Sequence, residues 1–258
     1  MAISLTRFVT TVASLVLAAQ LSTTAAAAEI KVLSTIGVQS ALEDLVPRFE
    51  VASGHKVIIA FGLSAQLSKR VADGEPLDVF VGTRAGVDGL LKTGMISTGS
   101  DATIASSGVG IAVRAGASRP DVSTPEALKR ALLAARAVGW GNPAAGGAGA
   151  VHFAKVIERL GIADEVKAKS KYLAPGAFVG PMLTSGEVDL GVQQLPELAS
   201  VSGVDIAGPL PGDLQAITVF VAGISASARE ANAARALLAF LRSPDAATVF
   251  RAKGFNPE

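Results

Sequence analysis

The sequence predicts an α/β protein in which parallel-rich sheets carry helices on both faces. Short β-branched runs alternate with amphipathic helical runs along most of the chain, and this order is typical of βαβ units. The run LDVFVG at 77–82 is apolar enough for a strand that is buried on both faces. The segment GWGNPAAGGAGAVHF at 139–153 places five glycines before a helical run, and glycine lets a backbone approach a ligand closely.

The first half of the chain contains four predicted strands and three predicted helices. Apolar residues recur on one face of the first helix, and the third helix has Ser123 or Thr124 as its cap, with Glu126 in its first turn. Asp78 stands at the start of a strand and is assigned a structural role. The strands are 30–35, 55–61, 77–82 and 108–116, and the helices are 40–52, 64–72 and 125–136.

The second half repeats the pattern and ends in two helices. Its predicted strands are 137–142, 169–174, 188–194 and 217–225, and its helices are 152–160, 178–185, 195–199, 230–242 and 244–252. In such sheets a ligand binds beyond the carboxyl ends of strands. The segments 34–40 and 61–66 and the glycine-rich loop have that position. None of them carries a GxGxxG fingerprint or a Walker lysine, so a nucleotide ligand is not predicted.

The N-terminal residues 1–28 have the pattern of a secretory signal peptide. Arg7 precedes the short apolar stretch 8–21, and an Ala-x-Ala site favours cleavage after Ala28. The stretch is too short to cross a bilayer comfortably, so we expect no stable membrane insertion after the signal is removed. The mature chain is therefore expected in the periplasm.

Charge and composition exclude several classes of function. One of the 23 Lys and Arg residues is Arg7, so removing the signal leaves as many basic residues as the 22 acidic ones. A chain with no net positive charge is not expected to bind nucleic acid. The absence of cysteine excludes disulfides, thiolate metal sites and cysteine nucleophiles. The two histidines, His55 and His152, lie far apart in sequence, so neither a metal site nor a cofactor is predicted.

Four stretches carry a resemblance to a known family: FGLSAQLSKRV (61–71), EPLDVFVGTRAGVDGLLKTGMI (75–96), GEVDLGV (186–192) and ALLAFLRSPDAATVFRAKGF (236–255). In this order they resemble the periplasmic molybdate-binding proteins of ABC importers and, more broadly, type II periplasmic solute-binding proteins. The resemblance implies a monomer with two α/β lobes and a ligand cleft between them, and a membrane permease as partner.

The resemblance also implies lobe boundaries. Lobe one would hold 29–110 and 222–258, and lobe two would hold 111–221. The strands 108–115 and 217–224 would cross between the lobes.

The predicted ligand site combines polar side chains with backbone N–H groups that follow strands and precede helices. Ser34, Thr35 and Ser64 are predicted to donate to an anion, although each has an alternative role as a helix cap. Leu63 and Gln194 stand where the molybdate binders have hydroxyls, so a carboxylate is expected rather than a bare oxyanion. The other predicted site residues are Gly37, Val38, Asn142, Gly147, Gly149, Gln193 and Gln194.

Two classes of function remain open at this point. The favoured interpretation is a binding protein that captures a small anion, a carboxylate or a molybdate-like oxyanion, and presents it to an importer. The paired glutamines also resemble periplasmic aconitate isomerases, which use the same fold. An enzyme of that kind needs a group that takes up and returns a proton near neutral pH, and His152 is the candidate because it follows the glycine-rich loop.

Overall fold

A computed structural model describes residues 27–257, and the predicted signal peptide lies almost entirely outside the described residues. Within this range the chain forms two sheets and ten α-helices. The strands are β1 (Glu29–Thr35), β2 (Lys56–Gly62), β3 (Val79–Thr83), β4 (Ala102–Ser107), β5 (Val109–Arg114), β6 (Val138–Gly141), β7 (Ser170–Leu173), β8 (Leu190–Gln194), β9 (Val204–Pro209), β10 (Thr218–Ile224) and β11 (Asn256–Pro257). The helices are α1 (Gln39–Ser53), α2 (Ser64–Ala72), α3 (Arg84–Lys92), α4 (Pro125–Ala134), α5 (Ala148–Arg159), α6 (Ala163–Ala168), α7 (Gly180–Ser185), α8 (Leu195–Ala199), α9 (Ala231–Leu241) and α10 (Pro244–Ala252).

The first sheet has the strand order β11-β4-β10-β3-β1-β2. Strand β1 pairs in parallel with both β2 and β3, and its Ser34 lies opposite Phe61 on one side and Val81 on the other. Strand β10 runs antiparallel to β3 and β4. The three parallel strands therefore end together, and the chain leaves each of them at the same edge of the sheet.

The second sheet has the order β7-β6-β8-β5-β9. Strand β6 pairs in parallel with β7 and β8, and Trp140 lies opposite Tyr172 and Val192. Strand β5 runs antiparallel to β8 and β9. This sheet therefore repeats the plan of the first, with a parallel group of three strands extended by antiparallel neighbours.

Both faces of each sheet are covered, as predicted. Neighbouring residues of β1 enter different apolar clusters, Val32 with α1, α9 and α10 and Leu33 with α2 and α3. In the second sheet, Ile111 and Ala112 of β5 are divided in the same way between two clusters. Because successive side chains of a strand point to opposite faces, this division requires a helical layer on each side. The predicted fold class is confirmed.

The sheets are mixed, whereas the sequence predicted mainly parallel pairing. Strand β5 belongs to the second sheet from Val109 onward, and β10 belongs to the first sheet from Thr218 onward. Each of these two strands brings the chain across from the other sheet. It enters the new sheet at the edge where the parallel strands end, so it runs antiparallel to its neighbours. The lobe boundaries at 110/111 and 221/222 stay a prediction. The chain enters the next sheet, at the first residue of β5 or β10, two to four residues before each boundary.

No helix between residues 27 and 257 combines the length and the apolar character that a membrane span requires.

Asp78 joins three parts of the first lobe, as expected of a structural residue. Its side chain is buried just before β3, and Oδ2 accepts a hydrogen bond from Lys31 N at 2.9 Å. Oδ1 accepts from Arg229 N at 2.8 Å and from Glu230 N at 3.0 Å, where α9 begins. One carboxylate therefore holds β1, β3 and the N-terminus of α9 together.

We expect Asp78→Ala to lower the free energy of unfolding by about 3 kcal/mol, because three backbone donors lose a charged acceptor in a buried place. Urea denaturation measures this loss. Asp73→Ala is the matched control: Asp73 is an exposed carboxylate that pairs with Lys69, and its removal should cost less than about 1 kcal/mol. Equal midpoints for the two variants would contradict the role of Asp78.

Candidate ligand-binding cleft

A cleft lies between the carboxyl ends of the parallel strands of the two sheets. It holds about 670 Å³ of space outside the protein atoms, its open mouth included. Both lobes contribute to its wall. The predicted site residues that line it are Thr35, Gly37, Ser64, Asn142, Gly147, Gly149, Gln193 and Gln194.

The first lobe contributes a turn and a helix N-terminus. Thr35 ends β1, and its Oγ1 accepts a hydrogen bond from Gly37 N at 3.4 Å, which caps the short 3₁₀ turn Ile36–Val38. A Cβ on Gly37 would lie 2.7 Å from the ring of Phe220, so this position requires glycine. Ser64 is the first residue of α2 and is mostly buried at the cleft wall.

Two predicted residues of this segment lie behind the cleft wall. Ser34 is fully buried and donates its hydroxyl to Thr35 O at 3.2 Å. Val38 is fully buried too, and its side chain packs in the apolar cluster beneath α1. The structure thus brings Thr35 and Ser64 to the cleft but gives the Ser34 hydroxyl a partner inside the protein.

The glycine-rich loop forms the opposite wall. Asn142 follows β6, and its Oδ1 accepts from Ala144 N at 3.0 Å, which starts a 3₁₀ turn. Helix α5 begins at Ala148, four residues earlier than predicted, so Ala148, Gly149 and Ala150 line the cleft with helix N-terminal N–H groups. Such groups have no partner within the helix and favour an anion.

Within this loop the positive φ occurs at Gly146, with φ +82°, whereas Gly147 has φ −72°. A Cβ on Gly146 would lie 2.8 Å from Cβ of Ala65 on α2. The two walls of the cleft therefore meet at Gly146 with no room for a side chain.

The adjacent residues Gln193 and Gln194 form different hydrogen bonds. Gln193 accepts from Val179 N at 2.7 Å and donates to Ala177 O at 3.1 Å, so its amide holds the loop between β7 and α7. Gln194 donates from Nε2 to Thr218 Oγ1 at 2.8 Å, a bond between β8 of the second sheet and β10 of the first. Its Oε1 is buried at the cleft and has no protein partner within the described chain. Gln194 is therefore the glutamine with a free polar atom for a ligand.

Glu197 is a cleft residue that the sequence interpretation missed. It lies in α8, is only 8% exposed, and its Oε2 accepts from Gln194 N at 3.2 Å. Burial raises the pKa of this carboxyl from 4.5 to about 7, and the backbone hydrogen bond opposes the rise. A glutamate three residues after the N-cap is the capping-box spacing, which could have assigned Glu197 to the start of a helix but not to the cleft.

The cleft carries no permanent positive charge, since none of the described residues that line it is Lys, Arg or His. His152 lies on a neighbouring groove with Lys69 and Lys155, and its Nε2 is 2.7 Å from Leu214 O. The sequence-based candidate for proton transfer thus lies outside the cleft, and Glu197 is the titratable group within it.

The fold agrees with comparisons to known proteins. The sequence pattern of the bacterial extracellular solute-binding proteins matches residues 30–256. The chain belongs to this family. The solved periplasmic molybdate-binding protein of Azotobacter vinelandii has the same fold, with a TM-score of 0.72 at 23% identity over 88% of this chain and 98% of that one.

Two curated relatives of this solute-binding protein differ in their named activities. It is 33% identical to an aconitate isomerase of a Pseudomonas species, over 88% of this chain and 87% of the relative. It is 29% identical to the molybdate-binding protein ModA of Azotobacter vinelandii, over 92% of this chain and 93% of the relative. The predicted resemblance to the molybdate-binding family and its aconitate isomerase branch is confirmed.

The raised pKa of Glu197 predicts a pH-dependent stability. The unfolded chain releases this proton near 4.5 and the folded chain near 7, so stability is lost as the pH rises between these values. We expect the stability of the wild type relative to Glu197→Gln to fall by about 3 kcal/mol between pH 4 and pH 8. Urea denaturation at several pH values measures it. The exposed Glu187→Gln serves as control, and a constant difference for both variants would contradict the prediction.

Proposed function

We propose that this solute-binding protein captures a small carboxylate in the cleft and presents it to the permease of an ABC importer. The observation that carries the proposal is a cleft lined from both lobes by neutral donors. The Thr35 and Ser64 hydroxyls lie on one side and the N-terminus of α5 lies on the other. Charge-assisted hydrogen bonds from such donors are strong enough to hold an anion without a cationic side chain.

A carboxylate suits the remaining wall better than a bare oxyanion. Leu63 lines the cleft where a hydroxyl would complete a ring of donors, and the buried Gln194 Oε1 offers an acceptor. A fully ionised oxyanion has no proton to give to that acceptor, whereas a ligand with hydroxyl or carboxyl groups does. The Gln194 amide can also turn over, since the Thr218 hydroxyl can donate or accept.

The proposed location and partner rest on the family and on the predicted signal peptide. Export across the inner membrane would place the chain in the periplasm, where a monomer that closes on its ligand could meet the permease. The contact between Gly146 and Ala65 supports a role for closure, because it brings the two walls of the cleft together at one point.

The proposal predicts which anions bind. In titration calorimetry at pH 6, citrate, malate or trans-aconitate should bind with a Kd below about 1 mM, and molybdate and sulfate should bind more weakly. Ser64→Ala should weaken carboxylate binding by tenfold or more, because an anion loses a hydroxyl donor.

Ser68→Ala is the matched control for Ser64. Ser68 lies one turn further along α2 and faces the neighbouring groove, so its replacement should leave the affinity unchanged. Tight binding of molybdate with no response to any carboxylate would overturn the choice of ligand.

A second candidate function is the interconversion of cis- and trans-aconitate, and the observation that favours it is Glu197. The shift removes a proton from the methylene carbon and returns one to the former vinyl carbon while the double bond moves. A carboxyl with a pKa of about 7 is suited to both steps. The aconitate isomerase relative supports this candidate, and Glu197 takes the role first assigned to His152.

Proton NMR of trans-aconitate incubated with the protein tests this candidate. We expect the wild type to convert trans-aconitate to cis-aconitate. Glu197→Gln should bind trans-aconitate without converting it, whereas His152→Ala should bind it and convert it. Conversion by Glu197→Gln but not by His152→Ala would restore the role of the histidine. Binding without conversion by the wild type would leave the protein a binder only.

A further inference from the structure

Glu197 is the one residue lining the cleft, within the described chain, that can carry a charge. A protein that binds anions therefore places a carboxyl group in a site without any cation. Its side chain is more than nine-tenths buried, and the N–H of Gln194 is its hydrogen-bond partner among the described residues. One N–H donor does not compensate for an ionised carboxylate in such a place.

The elements packed against α8 do not supply the missing positive charge. They are β5, β8, β9 and the 3₁₀ turn Ile36–Val38. The charged residues on them are Arg114, which is exposed at the end of β5, and Asp205 on β9, which is paired with Arg119. Near Gly254, which approaches α8, Lys253 is paired with Asp44. No charged group among these elements stabilises the ionised form of Glu197.

An anion bound beside an ionised Glu197 would meet a like charge in a desolvated place, and this is costly. A neutral carboxylic acid would instead donate an O–H hydrogen bond to the anion, and bonds of the type O–H···O⁻ are short and strong. We propose that the cleft binds its carboxylate together with one proton, which is held in a hydrogen bond between Glu197 and a ligand oxygen. This inference rests on the proposed binding function.

The proton gives binding a defined pH dependence. In the free protein, burial raises the pKa of Glu197 to about 7, and a bound anion raises it further. Below this pH the proton is already present, so affinity is constant. Above it, each complex must take up a proton from solution, so affinity falls by up to tenfold for each pH unit until the pKa of the bound state is reached.

Calorimetric titration of citrate, malate and trans-aconitate tests the inference between pH 6 and pH 9.5. Above pH 7.5 the probes' own carboxyls are ionised, so a slope there belongs to the protein. At pH 8.5, titration in two buffers with different ionisation enthalpies should show an uptake that approaches one proton per ligand. This measurement needs no variant.

The variant Glu197→Gln tests whether Glu197 is the group that takes up the proton. Its amide keeps a hydrogen-bond donor but cannot titrate, so its affinity should be flat with pH and its proton uptake zero. Exposed Glu187→Gln should keep the wild-type slope. A pH-independent affinity of the wild type, or a slope that survives in Glu197→Gln, overturns the proton coupling while leaving carboxylate binding intact. If none of the three probes binds at pH 6, the proposed function itself fails.

Discussion

Parallel pairing of β1 with β2 and β3 decides what the first lobe can offer to a ligand. The register places Thr35 opposite Gly62, so the turn after β1 and the start of α2 lie side by side. The second sheet repeats this arrangement, and β6 and β8 end beside one another with Asn142 and Gln194 at their tips. All these residues reach the cleft at or just beyond strand ends, so the two sheets determine where they lie.

Closing a cleft between two such edges buries polar groups that water would otherwise satisfy. Gln193 finds both of its partners in the loop before α7, whereas Gln194 donates from Nε2 to Thr218 on β10 and its Oε1 has no partner among the described residues. A ligand that forms hydrogen bonds with both walls would therefore favour the arrangement in which the walls are together.

Local patterns were enough to predict the strand ends, the glycine-rich loop and the pair Gln193 and Gln194 at the end of β8, since each rests on residues adjacent in sequence. Strand β4 was missed because ATIASS is small and polar and gains its place only by pairing with β10 and β11. Glu197 was missed for a related reason. A glutamate in a short helix is normally exposed, and its burial depends on the first lobe packing over α8, which no local pattern encodes.

The buried acid also brings the two proposed functions close together. In a binding protein, the proton of Glu197 would stay between two oxygens, and the need to take it up from solution would make the affinity depend on pH. In an isomerase, the same proton would have to reach a carbon of the ligand, which requires that carbon rather than an oxygen to face the carboxyl. Both roles need the same desolvated, cation-free environment, because a nearby cation would keep Glu197 ionised. The orientation of the ligand against Gln194 and Thr35 therefore separates binder from enzyme, and the identity of the titratable group does not.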